Sequence, residues 1–187
     1  MARDMTKGRI LPQMTAFAIP LILGNLFQIL YNATDSIIVG KFVGDDALAA
    51  VGTAGPIMNM AILFISGMCM GAGILMSTLY GAKDMKNLEK QISTTLIGGL
   101  VFSLLIAFLM IVFAVPILRL INSPEEIIGS AAIYLRVVFL GLIFTFVYNF
   151  LANTLRALGD SRTPLYFLVI SAFLNVAGDL LFVVTLK

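Results

Sequence analysis

Histidine and tryptophan are absent from this 187-residue chain, and cysteine occurs once, at Cys69. A lone cysteine closes no internal disulfide. Without histidine, the His/Cys zinc sets and the Cys/His nucleophilic pairs are excluded. No G-x-x-x-x-G-K-[ST] loop occurs, which excludes a nucleotide-driven motor within the chain. Charge is scarce as well. Only 12% of residues are Asp, Glu, Lys or Arg, against about 25% in a soluble domain. In their place stand 60% hydrophobic residues and a mean hydropathy of +1.03. Such a chain reads as a polytopic membrane protein. Its class is all-α, because inside lipid every backbone amide must be satisfied within its own segment or in a closed barrel.

The few charges divide the chain. None occurs over residues 10–34, 47–82 or 91–118, runs of 25, 36 and 28 residues, and about 20 suffice to cross a bilayer. Five spanning helices are expected, at about 14–39, 47–80, 91–118, 125–158 and 163–186, behind a cytoplasmic lead at 1–13 carrying Arg3, Lys7 and Arg9. Ala47-Leu48-Ala49 has the small-x-small form of a leader cleavage site. The preceding run is too long, and too polar on one face, for a leader. Pro20 falls inside the first helix and removes one ladder bond, so a bend is expected there. Asp45 or Asp46 can cap the second helix, and Gly81 is a natural stop for it. Ser123-Pro124-Glu125-Glu126 has the form of a capping box opening the fourth helix. Arg136 is expected to snorkel to the outer surface.

Lysine and arginine in short loops set orientation. One side collects Arg3, Lys7, Arg9, Lys83, Lys86, Lys90, Arg156 and Arg162; the other collects Lys41, Arg119, Arg136 and Lys187. That is eight against four, which puts the N-terminus in the cytoplasm.

Polar residues inside the spans carry the chemistry. Asn25, Gln28, Asn32 and Asp35 step by three, four and three along one face of the first helix. Asn149, Asn153 and Arg156 make a second stripe on the fourth, and Ser171, Asn175 and Asp179 a third on the fifth. A carboxylate in a spanning helix costs about 2.5–3.5 kcal/mol on insertion scales, so it normally faces protein or water and has a task. Asp35 and Asp179 both fall in the outer half of the membrane in this orientation. They can share a pocket if their helices are neighbours. Such a pocket can take up a proton, or hold Na⁺ through oxygen ligands, with Asn32 and Asn175 adding neutral oxygens. The plainer alternative is that these groups only bond helices together.

Several short motifs resemble those of the multidrug and toxic compound extrusion (MATE) transporters. They are the first helix with Pro20, Gln28, Asp35 and Val39-Gly40, GDDALAAVG at 44–52, YGAKD at 80–84, RALGDSRTP at 156–164, and Asn175 with Asp179. The resemblance implies two six-helix lobes that export diverse, often cationic amphipathic compounds in exchange for H⁺ or Na⁺. It also implies a cation site on Asp35, Asn175 and Asp179, and pocket positions at Gln28 and Asn153. Asn32 and Asn149, which share the polar stripes, and Tyr31, a polar residue of the same stretch of the first helix, are added as pocket candidates, with Pro20 as hinge. Five helices make a partial N-terminal lobe. The partners implied are therefore a sixth helix, a second lobe, the bilayer of the cell membrane and small-molecule substrates, with no cofactor beyond the coupling ion and no nucleic acid. A saccharide-lipid flippase would need cations facing its pocket where this chain offers acids and amides. A scaffold subunit would leave both aspartates dispensable. An enzyme would need a nucleophile–base pair or a metal set, and neither is present.

Overall fold

The computed structural model describes residues 10–42, 45–179 and 181, with the side chains at 35, 39, 42, 45–48 and 179 outside that description. Most of the expected lead, the capping of the second helix by Asp45 or Asp46, and the last turns of the fifth expected helix therefore lie outside the described residues.

Six helices follow in order: α1 Ile10–Phe42, α2 Asp45–Gly81, α3 Met85–Leu120, α4 Glu125–Leu140, α5 Leu142–Ala157 and α6 Arg162–Asp179. The first three are long and apolar enough to cross a membrane, and each runs unbroken through a proline: Pro20, Pro56 and Pro116. The helix expected over 125–158 is instead broken at Gly141, where α4 and α5 meet at 43°. No proline is present there. Gly141 is a weak helix former, and its carbonyl is shared between Phe144 N, Thr145 N and the Thr145 hydroxyl at 3.0, 3.2 and 3.5 Å. Competition of this kind tightens and bends a helix. Counting the bent pair as one span gives four among the described residues; α6 contributes an apolar helix over Arg162–Gly178, and the rest of the fifth expected helix lies outside them.

Two of the connections are built alike. After α2, Asp84 N bonds Leu79 O and Lys83 N bonds Tyr80 O, with Lys83 at φ 59°. After α5, Asp160 N bonds Leu155 O and Gly159 N bonds Arg156 O, with Gly159 at φ 86°. Each is a Schellman closure. The left-handed residue after α2 is thus Lys83, not a glycine, and Gly81 is still helical. The next residue in each turn then caps the following helix. Asp84 accepts from Asn87 N at 3.2 Å and Asn87 Nδ2 at 2.6 Å. Asp160 accepts from Arg162 N and Thr163 N at 3.1 Å and from Thr163 Oγ1 at 2.8 Å. Burial opposes charge on Asp160, but the Thr163 and Arg162 donors prevail and lower its pKa from 3.8 to about 2.

The turn between α3 and α4 closes α3 the same way, with Asn122 at φ 55° and Ser123 N on Leu118 O. It does not make the expected capping box. Pro124 occupies the cap position, and the buried Ser123 hydroxyl has no hydrogen-bond partner. The helix starts at Glu125, which leaves Ser123 one residue too early to reach the first-turn amides. Arg136 is exposed, and its Nε donates to the Ile111 carbonyl at 3.4 Å. That carbonyl lies five residues before Pro116, whose missing amide loosens this part of the α3 ladder.

The chain forms two compact units. Residues 45–153 hold α2, α3, α4 and most of α5; residues 1–44 and 154–187 hold α1 and α6. In the first, α2, α3 and α4 pack on one another around Phe139, Phe146, Leu118, Leu135 and Ile65, all fully buried. The rings of Phe146 and Phe150 stack at 5.9 Å. Close approach needs glycine at position 99, where an added Cβ would collide with the Phe146 ring. In the second unit, α1 packs along α6. Outside these seams, large apolar side chains are exposed on every helix, among them Ile37, Leu63, Val101, Ile133, Phe144 and Phe173. Water would not tolerate that surface, and a bilayer requires it.

Candidate functional site

In the α1–α6 unit, the two helices expected to carry the buried acids are packed side by side. Contact is tightest where α1 has no side chain. A Cβ on the buried Gly24 would stand 3.4 Å from Leu168 Cδ2 and 3.7 Å from Leu165 Cδ1. One and two α-helical repeats further on, Tyr31 is half-buried and Ile38 is buried. Asp35 lies between those two positions in register, and Asp179 ends α6. Both aspartate side chains lie outside the described residues.

Asn175 is described, and it is half-buried on α6. Its Oδ1 is buried with no hydrogen-bond partner. A buried amide oxygen left unpaired costs roughly 1–3 kcal/mol, and such an exception in a folded chain calls for an explanation. An oxygen with open lone pairs, one helical turn from Asp179, is suited to a proton donor or a small cation.

The remaining candidates divide. Pro20 is half-buried within an unbroken α1, while Gln28 and Asn32 are exposed. They share that exposure with Asn25, Leu26 and Leu30. Among the described residues, Asn25, Gln28 and Asn32 of the α1 stripe are therefore uncovered, and the covered line runs through Gly24, Tyr31 and Ile38.

Asn149 and Asn153 belong to the other unit, where both are half-buried and bonded. Asn149 Oδ1 accepts from the Ser66 hydroxyl of α2 at 3.1 Å, and its Nδ2 donates back to Thr145 O at 2.9 Å. Asn153 Nδ2 donates to Asn149 O at 2.8 Å. A Cβ on Gly73 would stand 3.5 Å from the Asn153 backbone, so α2 and α5 approach closely there. Asn149 thus joins α5 to α2, while the Asn153 amide bonds within its own helix. The sequence reading missed Ser66. Its signal was a hydroxyl inside the charge-free run of α2, one residue before the small residue Gly67.

The profile of the MatE family matches residues 20–181, nearly the whole described chain. The chain belongs to the MatE family. Among its MatE relatives, the probable multidrug resistance protein YoeA of Bacillus subtilis is 34% identical over 172 residues, 92% of this chain and 37% of that protein. A crystal structure described as MATE in the straight conformation superposes at a TM-score of 0.87 with 27% identity, over 94% of this chain and 39% of the other. One described as MATE in the bent conformation gives 0.85 with the same identity and coverage. The chain thus spans about two fifths of the length of these relatives. It is a multi-pass membrane protein of MatE type, and its helix bundle is that of the solved MATE transporters.

Proposed function

We propose that this chain is the N-terminal portion of a cation-coupled antiporter of the cell membrane. That antiporter exports diverse, often cationic and amphipathic compounds, and it is not an enzyme. The observation that carries the reading is the unpartnered buried oxygen of Asn175 on α6, the helix packed against the one that carries Asp35. Asp35, Asn175 and Asp179 bind the coupling ion, H⁺ or Na⁺, which acts as a co-substrate with no resident cofactor. For Na⁺ the three side chains supply oxygen ligands, the chemistry a hard cation prefers.

Coupling follows from charge. An empty pair of carboxylates is costly in the membrane interior, so ion entry changes which arrangement of α1 against α6 is favoured. Pro20 is the hinge. The ladder bond it lacks lets α1 bend when Asp35 is neutralised, in keeping with solved MATE structures described as straight and bent. Gln28, Tyr31 and Asn32 line the drug pocket together with helices supplied by the rest of the transporter, a sixth helix and a second lobe. The N-terminus is cytoplasmic, by the balance of loop lysines and arginines.

The test uses the transporter carrying this chain in a drug-sensitive bacterium. Asp35→Asn should abolish drug resistance at unchanged membrane abundance. Normal resistance in that variant would defeat the reading.

A further inference from the structure

Between α2 and α3, inside the unit of residues 45–153, lies an open cleft of about 410 Å³. That is within the ~300–1,000 Å³ range of small-ligand clefts. Its wall changes character along its length. Toward the turn at 82–84 its α3 wall is Gln91, Thr94 and Thr95, with Gln91 Nε2 donating to Thr95 Oγ1 at 3.1 Å, while α2 contributes Leu75 and Ala72. Further from the turn it is lined by Met68, Gly71 and Gly98. A Cβ on either glycine would meet no atom within 4 Å, so both walls are open because neither position carries a side chain.

Cations gather at the polar end. Lys83 sits in the turn, Lys86 and Lys90 lie in the first two turns of α3, and all three are exposed. Lys90 precedes Thr94 by one helical turn on the same side of α3. Two acids, Asp84 and Glu89, lie among them, so this segment keeps a net charge of +1. Asp84 is engaged in capping through Asn87. Glu89 is two residues from Gln91, about 200° around the helix. Along the α3 side, then, come ammonium groups outside the cleft, then amide and hydroxyls, then glycine, against an α2 wall that is apolar throughout. That order is complementary to an amphiphile with an anionic head.

We propose that this cleft holds an acyl chain of an anionic phospholipid, with its phosphate on Lys83, Lys86 and Lys90. Basic residues where a helix pair meets the membrane surface attract anionic headgroups. A packed protein helix would fill the apolar part equally well, but the net positive charge at the mouth favours an occupant with an anionic head.

Native mass spectrometry of the full chain, equilibrated in micelles with equal phosphatidylglycerol and phosphatidylcholine, tests this. The chain should retain phosphatidylglycerol at least about fivefold over phosphatidylcholine. K83Q/K86Q/K90Q should bring the two to parity. Gly98→Leu, which projects a side chain into the cleft from a position with room for a Cβ, should lose the retained lipid at unchanged helicity; Gly71→Leu repeats the test from the α2 wall. Parity in the unaltered chain, or selectivity surviving both the lysine and the glycine variants, overturns the proposal. So does a photocrosslinker at Thr94 that captures a protein segment in place of lipid.

Discussion

Two adjacent glycines of α3 have opposite surroundings. At Gly99 a Cβ would run into the fully buried Phe146 ring, while at Gly98 it would meet nothing within 4 Å. Gly99→Ala should therefore destabilise the unit of residues 45–153 by about 1–3 kcal/mol, the usual cost of overpacking. Gly98→Ala should be neutral or stabilising by up to about 1 kcal/mol, through helix propensity. Thermal melts in detergent compare the two, and equal effects would show that the α3–Phe146 contact is not tight. Asp160 offers a second test. Its folded pKa is below its ordinary value, so its contribution is present above pH 3.8 and is lost as pH falls toward about 2. Asp160→Ala should lose about 1 kcal/mol at neutral pH, a typical N-cap loss. The gap between the two proteins should hold down to about pH 4 and close below it. A gap that closes near neutral pH would mean that Asp160 is not the cap.

At the scale of the element, the bend at Gly141 is open to measurement. Gly141→Ala favours a continuous helix, because alanine is the better helix former. Spin labels at the exposed positions Ile133 and Leu151, on either side of the 43° break, should then move apart. An unchanged distance would place the cause in the Thr145 hydroxyl, and Thr145→Val would become the straightening variant. Ser66→Ala removes the bond to Asn149 and should cost about 0.6 kcal/mol, the average for polar contacts between membrane helices.

The helices were legible in the sequence because charge-free runs longer than 20 residues leave the backbone few options in lipid. Their ends and breaks were less so. Gly81 is the last residue of α2, as its stop signal indicated, but the left-handed position falls two residues later on Lys83, where the 6→1 bond from Asp84 dictates it. The Ser123 cap failed by a single residue of register. Gly141 carried no mark in the periodicity, since the competing hydroxyl of Thr145 acts through local geometry. At the site, the polar stripes left the pairing of the helices that carry Asp35 and Asn175 as a condition, and the packing of α1 along α6 meets it. The hydrogen bond from Ser66 was not, because no period links residues 83 apart.

At the scale of the whole molecule, the account rests on an ion visiting the α1–α6 unit. Exposed Gln28 and Asn32, and apolar side chains bare on every helix, fit a half that is completed by other helices and by lipid. Drug efflux driven by an imposed H⁺ or Na⁺ gradient in proteoliposomes tests the claim most directly, using the transporter that carries this chain and its Asn175→Ala variant. The account predicts that efflux in the variant falls at least about tenfold, since the uncompensated oxygen is there to meet the ion and a lost ligand to a bound charge is worth more than about 1.4 kcal/mol. Gradient-driven efflux at the unaltered rate in Asn175→Ala would contradict it.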